Sequence, residues 1–197
     1  MKNFDFSTYL SPFTWRYGSD EMRKIFSEKH KYELWRKIWI ALAEAQHQAE
    51  LVSKEEFEDL KKHEKEIDIE KIFELEKDTK HDVVAAIHEF AGKAKIGGGK
   101  IHLGATSMDI VDNADMIKIK EALKIVENKV IIILNLLADK IEEYSDFPCL
   151  GYTHLQPAEP TTVGYRLAFY AQDLLTAYEF IQFAKKTIKG KGMKGAV

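Results

Sequence analysis

Apolar side chains recur at helical spacing along most of the chain, in segments separated by polar residues, glycines or prolines. Such spacing is typical of amphipathic helices that bury one face. The first segment begins at Ser19 or Asp20, either of which can cap a helix, and it continues to about Leu51. We therefore predict one long helix over this segment.

Shorter helices are predicted next. Ser53 and Glu56 form a capping-box signature at the start of the charged segment "SKEEFEDLKKHEK". Asp68 can cap another short helix. The segment "HDVVAAIHEFAGKAK" is amphipathic, and the glycines at 97–99 are a natural stop for it.

Two longer helices are predicted in the second half of the chain, from about Ser107 or Asp112 to Tyr144 and from Thr161 to about Ile188. Between them lies "GYTHLQPAEP" (151–160), whose two prolines exclude a regular helix and predict a rigid, irregular turn. No alternating pattern of useful length indicates a strand. The predicted fold class is all-α.

Composition limits the class of protein. The 197 residues are 45% hydrophobic and 31% charged, which is ordinary for a soluble globular protein. The formal net charge of -3 argues against a nucleic-acid-binding surface, because contact with phosphates requires a basic excess. The most apolar run, 130–137, is far shorter than the ~20 residues of a membrane span.

Two features predict a cytosolic protein. The N-terminal "MKNFDFSTYLSPF" lacks the apolar core and cleavage pattern of a secretory signal. The single cysteine, Cys149, cannot form an internal disulfide, which favours a reducing compartment. We expect Cys149 to be a small buried apolar residue.

The second half of the chain also predicts partner helices. The β-branched residues of 130–133 follow one another without a break, so the long helix is apolar most of the way round and should be covered on several sides. Together with the glycine-rich "KGKGMKGAV" at the end, this favours a piece of a larger assembly. The alternative is a long core helix followed by a disordered tail.

Clustered polar residues interrupt the helical pattern in three segments: 79–90, 102–115 and 151–160. Each places a histidine or a hydroxyl pair near a helix end, where free backbone N–H groups suit anionic ligands. Gly104 allows close approach of the backbone to a ligand. The segments together predict an anion site. Taken singly, Thr106–Ser107 is more often a helix cap, and His81 and His154 are more often structural hydrogen-bonding residues.

The same segments carry a resemblance to a known family. "SPFTWRYGSDEMRKIFSE", "KYELWRKIWIALAEAQ", "KHDVVAAI", "HLGATSMDIVDNAD" and "GYTHLQPAEPTTVGYRLAFYAQDL" occur in the order typical of the N-terminal part of adenylosuccinate lyases, in the fumarase/aspartase superfamily. The resemblance implies an N-terminal helical domain over residues 1–111 and the beginning of a central long-helix bundle over residues 112–197.

The reaction that the resemblance implies is an elimination that releases fumarate. Its substrates are adenylosuccinate, which gives AMP, and the succinyl-aminoimidazole-carboxamide ribotide of purine synthesis. The resemblance implies no metal and no organic cofactor. It also implies a homotetramer in which several subunits build each site.

Two positions match the family's catalytic histidines, and three neighbouring residues are candidates for substrate contact or orientation. His154 matches the general acid, a role that suits histidine because its pKa ordinarily lies near neutral pH, and Gln156 lies beside it for orientation or substrate contact. His81 matches the second family histidine, which assists substrate binding. Lys80 and Asp82 flank His81 as candidates for substrate contact.

Other positions match substrate-binding residues of the family. Arg16 and Tyr17 match the pair that binds the nucleotide, and Thr106 and Ser107 match the hydroxyl pair that binds the succinyl moiety. The role of His102 stays open. The family's base is a serine in an "SSxMPxKxNP"-like loop that does not occur in the 197 residues, so we expect no measurable lyase activity from this chain alone.

Three alternatives remain at this point. His81–Asp82 is also found in metal-dependent phosphohydrolases of the HD type, although such a site needs further converging ligands. Argininosuccinate lyase and fumarase share the superfamily. A non-catalytic helical oligomerisation module would account for the helices without any site.

Overall fold

The computed structural model describes residues 11–195 and is almost entirely helical. The expectation about a secretory signal rests largely on residues 1–10, which lie outside the described residues. The helices are α1 (Asp20–Ile25), α2 (Glu28–Gln48), α3 (Lys54–Lys62), α4 (Ile69–Thr79), α5 (Asp82–Lys93), α6 (Ser107–Glu143) and α7 (Val163–Thr187). Two short strands, β1 (Pro148–Thr153) and β2 (Gln156–Thr162), separate α6 from α7. The all-α prediction is confirmed, with this small hairpin as an addition.

The first predicted helix is two helices in the structure. Ser19 caps α1 by accepting a hydrogen bond from Met22 N at 3.2 Å. Ser27 has an extended backbone and caps α2 in the same way, accepting from His30 N at 3.2 Å. The prediction of one continuous helix was wrong because the apolar periodicity continues across a break that one serine creates.

The predicted caps of the next helices are confirmed. Ser53 Oγ accepts from Glu56 N at 3.2 Å, and the Glu56 carboxylate accepts from Ser53 N at 2.8 Å, which completes the capping box of α3. Asp68 Oδ1 accepts from Lys71 N at 3.0 Å at the start of α4. Helix α5 ends at Lys93, before the predicted stop at the glycines.

The described chain forms two compact units. One runs through Ile119 and includes the chain from Lys189 onwards, and the other is Lys120–Ile188. The boundary between the units therefore lies within α6. The predicted domain boundary between residues 111 and 112 stays a prediction.

The first unit contains the hydrophobic core, which α2, α3, α4, α5 and the start of α6 supply. A buried ion pair lies in this core: Arg36 of α2 contacts Glu89 of α5, and its guanidinium lies 3.5 Å from the ring centroid of Phe90. Glu89 also accepts from Asp68 N at 3.0 Å, at the start of α4. One carboxylate of α5 thus links that helix to α2 and to the start of α4.

The second unit contains the rest of α6, the hairpin and α7. The strands are antiparallel, and Thr153 pairs with Gln156 next to the turn. Both faces of the hairpin are largely exposed, so its sequence has no apolar alternation, and the strands were not predicted. Pro157 and Pro160 exclude a helix as predicted, and β2 accommodates them because the sheet has only two strands, which are both edges. Cys149 is partly exposed, contrary to the expected burial.

Large apolar side chains of α6 and α7 remain exposed in this chain. On α6, Ile132 is 58% and Leu136 is 59% exposed, and on α7 Phe180 is 70% and Phe183 67% exposed. Within residues 11–195, none of the helices combines the length and the apolar character that crossing a bilayer requires.

Candidate functional site

His81 lies at a tight junction between α4 and α5. Lys80 ends α4 in the left-handed conformation (φ 54°), and His81 is extended and caps α5, its ring Nδ1 lying 3.5 Å from Val84 N. The Thr79 hydroxyl supports the junction by donating to His81 O at 3.1 Å. The two-residue connection therefore presents the His81 ring at the N-terminus of α5.

Ser107 approaches the same ring from the start of α6. Its Oγ lies 3.5 Å from His81 Nε2, so the structure brings together two groups that the sequence places 26 residues apart. Both lie at helix N-termini, where backbone N–H groups and the helix dipole favour an anion. The structure thus brings together two of the residues from which an anion site was predicted, and the site itself stays a prediction.

The neighbours of His81 are polar and accessible. Asp82 Oδ1 lies 3.5 Å from His81 Nδ1 and accepts from Val83 N at 2.7 Å, and Lys80 is exposed. Across residues 11–195, no cluster of three or more histidine, cysteine, aspartate or glutamate side chains is arranged to hold a metal ion.

His102 is fixed by a contact that the sequence did not predict. The indole N–H of Trp39 donates to its Nδ1 at 3.1 Å, with the two rings perpendicular. Because an indole can only donate, His102 Nδ1 carries no proton and a neutral ring carries it on Nε2. Burial lowers the pKa of His102, with His81 acting in the same direction and Asp109 opposing it. The ring is therefore held as a neutral Nε2–H donor near the His81 site.

Asp109 is a second residue whose role the sequence did not indicate. Its side chain is fully buried, and it accepts from Thr106 N at 3.0 Å and from Gly195 N at 2.8 Å. Hydrogen bonds from the backbone N–H groups of Thr106, Gly195 and Lys194, together with the charge of Lys191, lower the pKa of Asp109 to about 2 against the effect of burial. The pattern Thr106-x-x-Asp109 is the sequence signal that would have found the first of these contacts.

The predicted nucleotide-binding pair precedes α1. Arg16 and Tyr17 lie in a short helical turn, Phe13–Tyr17, and both are exposed. The Arg16 guanidinium lies 4.5 Å from the ring centroid of Trp15. The predicted role of the pair in nucleotide binding stays a prediction.

His154 and Leu155 form the two-residue turn of the hairpin in the second unit. Both have left-handed backbones, with φ of 46° and 63°. Such a turn favours Asn-Gly, and each non-glycine residue in this conformation costs about 1–2 kcal/mol. His154 and Gln156 are exposed, and Leu155 is 94% exposed. The hairpin turn, rather than an irregular proline-braced loop, therefore presents His154, and strain of this kind is typical of functional sites.

Similarity to known proteins extends over nearly the whole chain. Residues 15–197 match the lyase family. The chain belongs to the lyase family. The adenylosuccinate lyase of Saccharomyces cerevisiae is 39% identical over 195 residues, which are 97% of this chain and 40% of that protein. The adenylosuccinate lyase of Methanocaldococcus jannaschii is 42% identical over 191 residues, 95% of this chain and 41% of that protein. The resemblance seen in the sequence is confirmed.

This lyase chain spans about 40% of the length of the curated relatives that it matches. Solved structures confirm its fold at lower identity. The fumarate lyase of Mesorhizobium aligns with a TM-score of 0.81 at 22% identity, covering 90% of this chain and 43% of that one. A β-carboxy-cis,cis-muconate cycloisomerase of Acinetobacter calcoaceticus gives 0.82 at 22% identity, covering 94% and 46%.

The groups that the lyase chain presents suit acid–base chemistry on an anion. In the first unit, the Ser107 hydroxyl and the N-termini of α5 and α6 lie at the His81 ring, and such groups can bind carboxylate or phosphate oxygens. In the second unit, the exposed imidazole of His154 lies in a two-residue turn with left-handed backbone angles. The roles of the predicted site residues stay predictions at this level.

Proposed function

We propose that this chain forms part of an adenylosuccinate lyase. The enzyme eliminates fumarate from adenylosuccinate to give AMP, and from the succinyl-aminoimidazole-carboxamide ribotide. The observation that carries the proposal is the identity of 39–42% to adenylosuccinate lyases over at least 95% of the chain. The contact between His81 and Ser107 supports it, because two motif segments that the sequence separates lie together in the first unit.

In the proposed reaction, a base removes a proton from the carbon beside a carboxylate, and an acid protonates the leaving nitrogen as the C–N bond breaks. We assign the acid to His154. Its position at a two-residue turn supports this assignment, because a proton donor must be held in a fixed geometry against one leaving atom. Gln156, the first residue of β2, orients the substrate beside it.

The proposed binding groups divide between the parts of the substrate. Thr106 and Ser107 bind the succinyl carboxylates, where the N-terminus of α6 adds a favourable field. His81 supports substrate binding, and its neighbours Lys80 and Asp82 contact the substrate. The exposed pair Arg16–Tyr17 binds the nucleotide.

We further propose a homotetramer in the cytoplasm as the working form of the intact protein. The exposed apolar side chains of α6 and α7 support self-association, since isolated soluble proteins seldom leave such residues exposed in groups. The proposed ligand is a small nucleotide adduct, with no role for nucleic acid or a membrane surface.

A chimera tests the proposed function. This chain replaces the matching part of the Methanocaldococcus jannaschii adenylosuccinate lyase, to which it is 42% identical. The chimera is expected to release fumarate from adenylosuccinate, whereas the 197-residue chain alone is expected to release none. His154→Ala in the chimera is expected to lower kcat by about 10²–10⁴-fold, the range for loss of a general acid.

His88→Ala is the matched control, because His88 is an exposed histidine of α5 outside the proposed site. A chimera that assembles like the parent enzyme but releases no fumarate contradicts the proposed function. Equal kcat values for the His154→Ala and His88→Ala chimeras contradict the assignment of His154 as the acid. They leave the proposed lyase activity itself untouched.

A further inference from the structure

The buried carboxylate of Asp109 joins two distant parts of the chain. Its Oδ2 accepts from Thr106 N at 3.0 Å and from Gly195 N at 2.8 Å, and its Oδ1 accepts from Lys194 N at 3.1 Å. Lys191 Nζ lies 3.5 Å from Oδ1. Both oxygens of a fully buried carboxylate are thus occupied by the turn before α6 and by the segment Lys191–Gly195.

Asn113, one helical turn further along α6, holds the same segment. Its Nδ2 donates to Gly192 O at 3.1 Å, and its Oδ1 accepts from Gly192 N at 3.1 Å. Gly195 lies so close to the turn before α6 that a Cβ there would be 3.0 Å from Gly104 O. The segment Lys191–Gly195 is therefore attached along the first turns of α6 by side chains of that helix.

These contacts act directly on the candidate site. Thr106, whose amide Asp109 holds, immediately precedes Ser107, and Ser107 Oγ lies 3.5 Å from His81 Nε2. A change in the backbone at Thr106 displaces Ser107 relative to the ring. Asp109 itself is fully buried, so it acts through its neighbours.

We propose that Asp109 is a positioning residue of the candidate site: it fixes Thr106–Ser107 opposite His81 and couples that contact to the segment Lys191–Gly195. The geometric part of the proposal concerns this chain alone, and its significance for catalysis rests on the proposed function.

Asp109→Asn tests the proposal with little change of shape. An amide offers one acceptor oxygen and one N–H₂ donor, so it cannot accept hydrogen bonds on both sides as the carboxylate does. In the isotopically labelled 197-residue chain, exchange of the Lys194 and Gly195 amide hydrogens is expected to become about tenfold faster or more, as the loss of a charge-assisted hydrogen bond implies. The ring ¹⁵N and ¹³C signals of His81 are expected to shift with it.

Asp112→Asn is the matched control. Asp112 lies on the same helix, and the contact recorded for its half-exposed carboxylate within residues 11–195 is with the Lys191 ammonium, at 3.7 Å. The control removes the same charge without removing an acceptor of backbone hydrogen bonds, and it is expected to leave the His81 signals unchanged. If Asp109→Asn moves the His81 signals no more than Asp112→Asn does, the proposal is overturned.

Asn113→Ala is the second variant. It allows the coupling to be tested even if Asp109→Asn does not fold. It releases Gly192 and removes the hydrogen bond from Asn113 Nδ2 to Asp109 O at 2.6 Å, but it keeps the Asp109 carboxylate itself. Coupling predicts faster exchange at Gly195 together with a smaller His81 shift in the same direction. Faster exchange at Gly195 with unmoved His81 signals contradicts the coupling. These NMR readouts require no lyase activity, so they fail or succeed independently of the fumarate assay.

Discussion

At the scale of single residues, the environment of His102 determines its protonation state. The ring is half-buried and accepts the Trp39 N–H at Nδ1, so the neutral form gains a hydrogen bond that the cation loses. Burial lowers the pKa below its ordinary 6.5. The unfolded chain therefore binds more protons at this position in mildly acidic solution, and stability falls as the pH falls through 6.5 towards the folded-state pKa.

Trp39→Phe is expected to raise the pKa of His102, because phenylalanine fills much of the indole's space without donating to Nδ1. An NMR titration of the histidine ring signals measures the change. Trp35→Phe is the control, since Trp35 belongs to the same helix and core but donates nothing to His102. The inferred tautomer is wrong if ring ¹⁵N shifts of the unmodified chain place the proton on Nδ1.

At the scale of secondary structure, Gly164 allows α7 to begin against the end of α6. Gly164 N donates to Tyr144 O at 2.8 Å. A Cβ at Gly164 would lie 2.6 Å from Ile141 O and 2.8 Å from Ser145 Cα, both backbone atoms that cannot move without shifting the helix end. The close approach of the two helices therefore requires the absence of a side chain.

Gly164→Ala is expected to lower the free energy of unfolding by about 1–3 kcal/mol, the usual cost of overpacking. Gly92→Ala, the same change in α5 with nothing within 4 Å of the new Cβ, is expected to raise it by about 0.5–1 kcal/mol. Urea unfolding at one protein concentration gives both values. The changes in the free energy of unfolding are expected to have opposite signs in the two variants. A Gly164→Ala chain as stable as the unmodified one would show that α6 and α7 can move apart at little cost.

The helix caps that the sequence predicted correctly depend on contacts between residues close together in the chain. The caps at Ser53 and Asp68 depend on atoms three residues away, and so they were visible in the sequence. The hairpin was not visible in the sequence. Neither of its faces is buried, so apolar and polar residues do not alternate along its strands. The contacts of Trp39 with His102 and of Asp109 with Gly195 span 63 and 86 residues, and only the folded chain brings them together.

The same distinction applies to the candidate site. Motifs identified His81, Ser107 and His154 as chemically apt, and the fold places the first two within 3.5 Å of each other. The strained turn at His154 could not be predicted from the sequence. A two-residue hairpin turn normally favours Asn-Gly, and histidine and leucine are unusual there. Sequence patterns thus supplied the candidate side chains, whereas their backbone support came from the structure.

At the scale of the whole molecule, the grouped exposed apolar residues of α6 and α7 are the basis of a prediction of self-association. Ile132 and Leu136 are four residues apart and lie on one face of α6, as Phe180 and Phe183, three apart, do on α7. The sequence predicted covering helices from the apolar run at 130–133. We predict that a second copy of the chain covers these faces.

The chain is therefore expected to self-associate, and sedimentation velocity over a concentration series measures this. Leu136→Glu is expected to weaken association about 100-fold, because an uncompensated buried charge costs about 3 kcal/mol or more. Lys120→Gln is the control, since it makes the same change in net charge at an exposed residue roughly 160° away around α6, from 16 residues at 100° each. Helicity measured by circular dichroism must stay equal in both variants for the comparison to hold. A chain that remains monomeric at the highest concentration, with its helices intact, would exclude these faces as an interface between copies.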